Sequence, residues 1–317
     1  MDRPVLEDKI RGAIFGHAIG DALGLGAEFL SKTQVAEYYP SGLESYGQIV
    51  RDAHRRRWAC GDWTDDTDQM LCILDSLLSR HEVDQLDIAY RIHQWAAGGG
   101  MGIGRTVQSV IYSPEYLRDP EAAARRVWES SGRRGAANGA VMRTSVLGIW
   151  AYDQPDAVRR NAELVCKVTH YDPRCVASCV CVCLAISSLL GGAADIEALS
   201  VELERATTSY DNRAAEFFER ANQATLESLR LDDERSGIGY TLKSMGAALW
   251  ALRHATSYRE GVLAVIREGG DADSNACVAG ALLGARFGFS ELPQEWVDGL
   301  RYRGDLARRV DGLLQLV

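Results

Sequence analysis

The chain has 317 residues, 46% of them hydrophobic, and a formal charge of −9. A chain of this length buries about 75% of its unfolded surface, so one large domain or two ordinary ones can carry a full core. The acidic balance excludes a general nucleic-acid binder, which needs basic surface to displace counterions, so no stable nucleic-acid partner is expected. Only seven prolines, with plentiful Ala, Leu, Glu and Arg, favour helix over strand.

Residues 6–24 place Ile10, Ala13, Ile14, Ala18 and Leu23 on one side, which predicts a helix. Gly12, Gly16, Gly20 and Gly24 recur at every fourth position and let another backbone approach closely. Asp21, among small apolar residues of that helix, calls for a neighbouring backbone partner. Residues 30–63 lack periodicity and contain the basic run His54-Arg55-Arg56-Arg57, which reads as a solvated loop or a guide for an acidic or phosphate-bearing substrate. Helices are predicted over 67–78, 85–97 and 120–131. The glycine-rich stretch 98–104 follows no strand and is only weak evidence of a dinucleotide motif. A loop over 135–143 leads into an apolar helix. Further helices are predicted over 155–168, 173–190, 195–208, 212–229, 240–254, 257–267 and 274–287. Cys175, Cys179 and Cys183 share one face of the 173–190 segment and read as small buried apolar residues, because no CxxC pair or matched histidines offer a zinc site. No strand-type alternation and no linker interrupt the chain, so one compact all-α domain over 1–317 is expected. With no leader-type segment after Met-Asp-Arg-Pro and no apolar run of membrane-spanning length, a cytoplasmic monomer with reduced thiols and no membrane partner is expected.

Two acidic clusters carry the chemistry. Asp62, Asp65, Asp66 and Asp68 crowd seven residues ahead of a helix. Capping explains one acid at such a place, not four, and the excess charges repel unless a cation relieves them. Glu268-Gly269-Gly270-Asp271-Ala272-Asp273-Ser274 repeats the design: glycines, then acids and a hydroxyl, then an apolar helix. Carboxylate and hydroxyl oxygens are hard ligands, suited to Mg²⁺ or Mn²⁺ rather than zinc. If the clusters meet, they can hold two ions roughly 3.5–4 Å apart, with Asp66 and Asp273 as bridging or paired ligands. Glu28, taken alone, is a surface glutamate after a helix. Tyr240 can stack on a base or simply pack.

Five segments together resemble the ADP-ribosylglycohydrolase family: GAIFGHAIGDALGLGAEF at 12–29, WTDDTDQM at 63–70, ANGAVMR at 137–143, THYDPR at 169–174 and GGDADSNACVAGALLGA at 269–285. The resemblance implies an all-α orthogonal helical bundle with a central cleft holding two Mg²⁺ (or Mn²⁺). It implies Thr64, Asp65, Asp66, Asp271, Asp273 and Ser274 as metal ligands, Ser274 standing where the family more often has Thr. Glu28 would match a mobile glutamate near the metals. Asn138, Gly139, Met142 and Arg143 would line the ribose and diphosphate, and His170 would lie near the substrate. The 98–104 loop, with Gly100, Gly102 and Gly104, would cover the diphosphate, and Tyr240 would sit on the adenosine side. Several relatives carry an aspartate in that loop, and this chain has none between Gly98 and Gly104.

The implied activity is hydrolysis of the glycosidic bond between ADP-ribose and an acceptor on a protein, nucleic acid or small molecule. Glu28, Asp65 and Asp66 are the candidate bases or oxocarbenium-stabilising carboxylates. One rival is an all-α, Mg²⁺-dependent diphosphate transferase, whose clusters usually read DDxxD; the spacing of Asp65, Asp66 and Asp68 differs from that. A non-catalytic ADP-ribose-binding relative is the other, and it has no reason to keep mutually repelling carboxylates.

Overall fold

The structure is a computed structural model and describes residues 2–317, the side chain of residue 236 apart. Its architecture starts from the glycine ladder of α1 (Arg3–Gly24). Near the other end of the chain, α13 (Ala272–Phe287) carries a matching ladder of Ala272, Ala276, Gly280 and Gly284. The two helices run antiparallel with their backbones almost touching. A Cβ built on Gly12 would stand 2.3 Å from the Gly284 carbonyl oxygen, on Gly16 2.4 Å from that of Gly280, and on Gly20 2.1 Å from that of Ala276. The close approach expected from the glycine spacing is thus present, and its partner is α13. The antiparallel seam brings the C-terminus of α1 to the N-terminus of α13.

The remaining helices build outward from this pair. They are α2 (Lys32–Tyr38), α3 (Asp65–Arg80), α4 (Gln85–Ala97), α5 (Arg105–Ile111), α6 (Pro120–Ser130), α7 (Pro155–Cys166), α8 (Pro173–Leu190), α9 (Ile196–Thr208), α10 (Ala214–Ala221), α11 (Thr241–His254), α12 (Tyr258–Arg267), α14 (Gln294–Gly299) and α15 (Arg303–Leu314). Proline opens α1, α6, α7 and α8, where a missing N–H costs nothing. Asp84, Asp119 and Asp195 cap α4, α6 and α9 by accepting from backbone N–H groups of the first turn. α8, α11 and α12 pack around α13, and α3 lies between α4 and α15, which Arg309 ties to Asp75 at 2.7 Å. The buried apolar residues form one cluster running from Leu6 to Leu314. Among the described residues there is no strand, only one antiparallel bridge between Ala137 and Tyr240.

Several boundaries differ from expectation. The 30–63 connection holds α2, started by a reciprocal Ser31–Gln34 capping box, and is anchored by buried Tyr39, Leu43, Tyr46, Ile49 and Trp58. The 212–229 segment breaks after Ala221 into α10 and a short 3-10 turn, Leu226–Leu229. The apolar run after Arg143 makes only a 3-10 turn, Ser145–Gly148. Helices α5 and α14, of seven and six residues, are too short for the periodic stretch that announces a helix, and α15 lies in a segment for which no element was expected. By length and composition α8 does reach the membrane-spanning range, but 89% of it is buried among other helices. Its four cysteines are free and fully buried, as small core residues.

The seam makes a direct prediction. Gly20→Ala forces the backbones apart and should cost about 3 kcal/mol, despite alanine's better helix propensity. It should lower the melting temperature by roughly 4–5 °C. Gly47→Ala, which meets nothing within 4 Å, should stay within about 0.5 kcal/mol.

Candidate metal centre and substrate cleft

Both acidic clusters sit at helix N-termini that face each other across the end of the seam. Asp65 and Asp66 lie in the first turn of α3, Asp271 is the N-cap of α13, and Asp273 lies in its first turn. The expectation of acids just before each helix therefore shifts: both helices begin two residues earlier, and Asp273 points from helix rather than extended chain. Asp21 joins the two elements. Its carboxylate, wholly buried, accepts from the Thr64 N–H (2.9 Å) and hydroxyl (2.8 Å) on one oxygen, and from the Thr67 N–H (2.9 Å) and hydroxyl (2.6 Å) on the other. Asp21 thereby caps α3 from another helix, which is the backbone partner its burial required.

That cap has a consequence for Thr64. The single hydroxyl proton goes to Asp21, so the oxygen turns lone pairs toward Asp66 Oδ2 (3.3 Å) and Asp273 Oδ2 (3.5 Å). Asp66 Oδ1 is buried with no hydrogen-bond partner. Acceptor oxygens facing one another in a buried corner, with no protein donor between them, suit a cation. Glu28, Asp271 and Asp273 add three carboxylates whose oxygens lie within 4.8 Å of one another, a group that can hold a metal ion. Burial, followed by mutual repulsion, pushes Asp65, Asp66 and Asp273 well above the usual carboxylate range. Burial, and then the neighbouring Glu28, raises Asp271 to about 6. Ser274 completes the set, its hydroxyl 3.9 Å from Met142 Sδ.

Not every acid of the first cluster belongs to this corner. Asp68 accepts from the indoles of Trp63 (2.8 Å) and Trp95 (2.9 Å), and Asp62 accepts from the Ala59 N–H (2.7 Å) and faces Arg301. Two of the four crowded carboxylates are thus held by ordinary donors, a distinction invisible in the spacing.

Glu28 is placed by a backbone exchange and by the basic run. Phe29 N–H donates to the Gly270 carbonyl (2.6 Å), and Gly270 N–H to the Leu30 carbonyl (2.7 Å). Gly270 has φ +71, and a Cβ there would stand 2.2 Å from the Leu231 carbonyl oxygen, so only glycine fits. The solvated-loop reading of residues 54–57 holds for the exposed Arg56 and Arg57 and is corrected for His54 and Arg55. Arg55 is buried, donating to the carbonyls of Leu25, Gly26 and Glu28, and His54 Nε2 meets Glu28 Oε2 at 2.5 Å.

The other predicted residues ring the cluster. Asn138 Nδ2 donates to Asp271 Oδ2 (2.8 Å) and to Ser244 (3.1 Å), whose own hydroxyl donates to Asn275. Gly139 lies under the His170 ring, where a Cβ would be 3.0 Å from Cε1. Gly102, with φ +91, lies on Asp65: a Cβ there would be 2.3 Å from Oδ1. Gly100 packs on the Trp95 ring, and Gly104 is the N-cap of α5 with open space beside it. Tyr240 is half-buried, its ring against Phe217 (5.6 Å) and below the Arg174 guanidinium (5.6 Å). Arg143 departs from its expected place along the diphosphate. It is wholly buried, and its guanidinium donates to Gln69 Oε1 and Thr169 Oγ1, both at 2.6 Å. Sequence reasoning gave no role to Gln69 and Thr169, although both lie in the motif segments 63–70 and 169–174, and it noted His54 and Arg55 only as part of a basic run.

Fold and site together define an all-α protein with a buried carboxylate corner, able to hold a metal ion, at facing helix N-termini. The chain belongs to the ADP-ribosylglycohydrolase family, whose model matches residues 2–317. It is 29% identical over 313 residues to a protein of Archaeoglobus fulgidus, covering 98% of this chain and 97% of the relative. It is 26% identical over 318 residues to the ADP-ribosyl-[dinitrogen reductase] glycohydrolase of Rhodospirillum rubrum, covering 100% and 99%. A solved structure, an ADP-ribosylglycohydrolase-related protein complex, superposes with a TM-score of 0.75 at 26% identity over 99% of both chains. Membership leaves the diphosphate-transferase alternative without support.

The raised carboxylates predict how the metal-free protein responds to pH. A folded-state value above the unfolded one means stability that is present below the unfolded value and lost as pH rises through the folded one. Asp271→Asn should therefore stabilise the metal-free chain at pH 7 by on the order of 1–3 kcal/mol. The gap should close as pH falls from 6 toward about 4, where Asp271 is neutral in both states. Thermal melts in chelator across that range check the sign.

Proposed function

We propose that this chain is a metal-dependent hydrolase that cleaves the glycosidic bond between ADP-ribose and an acceptor. The observation that carries it is convergence: Thr64, Asp65, Asp66, Asp271, Asp273 and Ser274, from two distant segments, meet in one corner, all but the half-buried Asp271 buried, in a chain that matches the family from end to end. We assign these six side chains as ligands to two Mg²⁺ or Mn²⁺ ions, with Glu28 beside them. Bound there, divalent ions supply positive charge that orients the ribose diol and stabilises developing negative charge.

The chain's own groups do the rest. Glu28 is the carboxylate assigned to take a proton from the attacking water: it stands outside the six-ligand set, its oxygens lie within 4.8 Å of those of Asp271 and Asp273, and its Oε2 meets His54 Nε2. Asp65 is oriented by Gln69 Nε2 (3.0 Å) and covered by the 98–104 backbone, which suits it to stabilise an oxocarbenium-like sugar. Asn138 fixes Asp271 and places its backbone beside the sugar, while Tyr240 flanks the nucleoside end. Burial first, and then the Arg143 charge, lowers His170 to about 3, so it is a neutral hydrogen-bonding group and not a general acid.

Two measurements test the assignment. Mg²⁺ or Mn²⁺ at about 100 times its dissociation constant should stabilise the wild-type chain by about 2.7 kcal/mol, reversibly with chelator. Asp66→Ala should lose most of that stabilisation, and its hydrolysis of ADP-ribosylated acceptors should fall at least about 100-fold in saturating metal. Retained hydrolysis in Asp66→Ala overturns the scheme. A panel of defined ADP-ribosyl acceptors then identifies the linkage, and silence across the whole panel with metal bound would favour a non-catalytic ADP-ribose binder.

A further inference from the structure

Arg143 is the largest buried cation left unused by the chemistry above. Its guanidinium reaches no carboxylate: it donates to Gln69 Oε1 and to Thr169 Oγ1, each at 2.6 Å. A guanidinium offers donors only, so whatever faces it must accept. This settles the polarity of both neighbours. Gln69 must turn its oxygen to Arg143, which leaves its NH₂ facing Asp65 Oδ2 at 3.0 Å. Thr169 must accept from Arg143, and its hydroxyl lies 2.8 Å from His170 Nδ1.

The second chain fixes a tautomer. If Thr169 donates its proton to Nδ1, the neutral imidazole carries its hydrogen on Nε2, and one buried group, that Nε2–H, lacks a partner. If Nδ1 instead carried the hydrogen, two buried groups would lack one, the Thr169 O–H and the Nε2 lone pair. The first arrangement is the better satisfied. His170 Nε2 is indeed buried with no partner in the protein. It stands where a Cβ on Gly139 would be 3.3 Å away, beside the segment that binds Asp271 through Asn138. A donor buried there and left open points to an acceptor oxygen on the ligand.

We propose that Arg143 is a positioning residue that sets the direction of two hydrogen-bond chains, one orienting the Asp65 carboxylate through Gln69, the other holding the His170 proton on Nε2 through Thr169. Its buried charge never touches substrate. It makes two neutral side chains present the right atom at two places in the cleft. The consequence for turnover rests on the proposed function; the polarity itself does not.

The test reads the tautomer in the full-length, ligand-free chain with ¹⁵N-labelled histidine, His170→Gln assigning the signal. The expected result is a protonated Nε2 in wild type, a mixed or reversed tautomer in Thr169→Val, and return to Nε2–H in Thr169→Ser. With ADP-ribosylated substrate, kcat/KM should fall about 10–100-fold in Thr169→Val and recover in Thr169→Ser. On the other limb, Mn²⁺ titrated alone into folded Gln69→Leu should bind about 10-fold more weakly than into wild type. A wild-type Nδ1–H tautomer, an unchanged tautomer in Thr169→Val, or unchanged Mn²⁺ affinity in Gln69→Leu overturns the proposal. Wild-type chain that shows the Nε2–H tautomer yet hydrolyses nothing overturns the proposed function and leaves this assignment standing.

Discussion

The α1–α13 seam is the constraint on which the rest of the structure depends. Glycine and alanine at every fourth position let two helices approach until carbonyl oxygens occupy the space of absent side chains. Such contact leaves no freedom to slide, because a shift of one residue would put Ile or Phe against backbone. The register is therefore rigid, and the C-terminal end of α1 is held against the N-terminus of α13. Asp21, near that end, then reaches across to cap α3 with both oxygens. One packing decision thus places three helix ends around a common point.

That point is electrostatically costly without a partner. Carboxylates from Asp65, Asp66, Asp271 and Asp273 are buried together, and each is pushed toward its neutral form chiefly by loss of water. The positive ends of α3 and α13 offset part of this. Among the described residues no arginine or lysine intrudes: Arg55 is bound to carbonyls behind Glu28, and Arg143 to Gln69 and Thr169. Buried arginine here fixes geometry from behind while the corner stays free for a bound cation. The stability that this arrangement forfeits in the metal-free chain is what a bound cation would restore.

Much of this was legible in the residues. Helical periodicity located the long elements, and the repeated glycine-acid-hydroxyl pattern located both halves of the corner. The errors share a cause. Residues 32–38, 105–111 and 294–314 form short helices whose stability comes from what they pack on, and periodicity is weak over such lengths. Asp62 and Asp68 looked like Asp65 and Asp66, because spacing does not say that Trp63, Trp95 and Arg301 will arrive as donors. Arg143 lies within the motif segment 137–143, yet the side chain turns into the core, away from the cleft it was expected to line.

By itself the sequence determined the class of fold, the close helix contact and the presence of two clusters of hard oxygen ligands, because each is written in local spacing and composition. Only the tertiary structure decided that Thr64 gives its proton to Asp21, that His54 and Arg55 secure Glu28, and that Arg143 directs Gln69 and Thr169. The reason is physical: a hydrogen bond's direction depends on what stands opposite, and these partners are brought together from positions 26 to 74 residues apart.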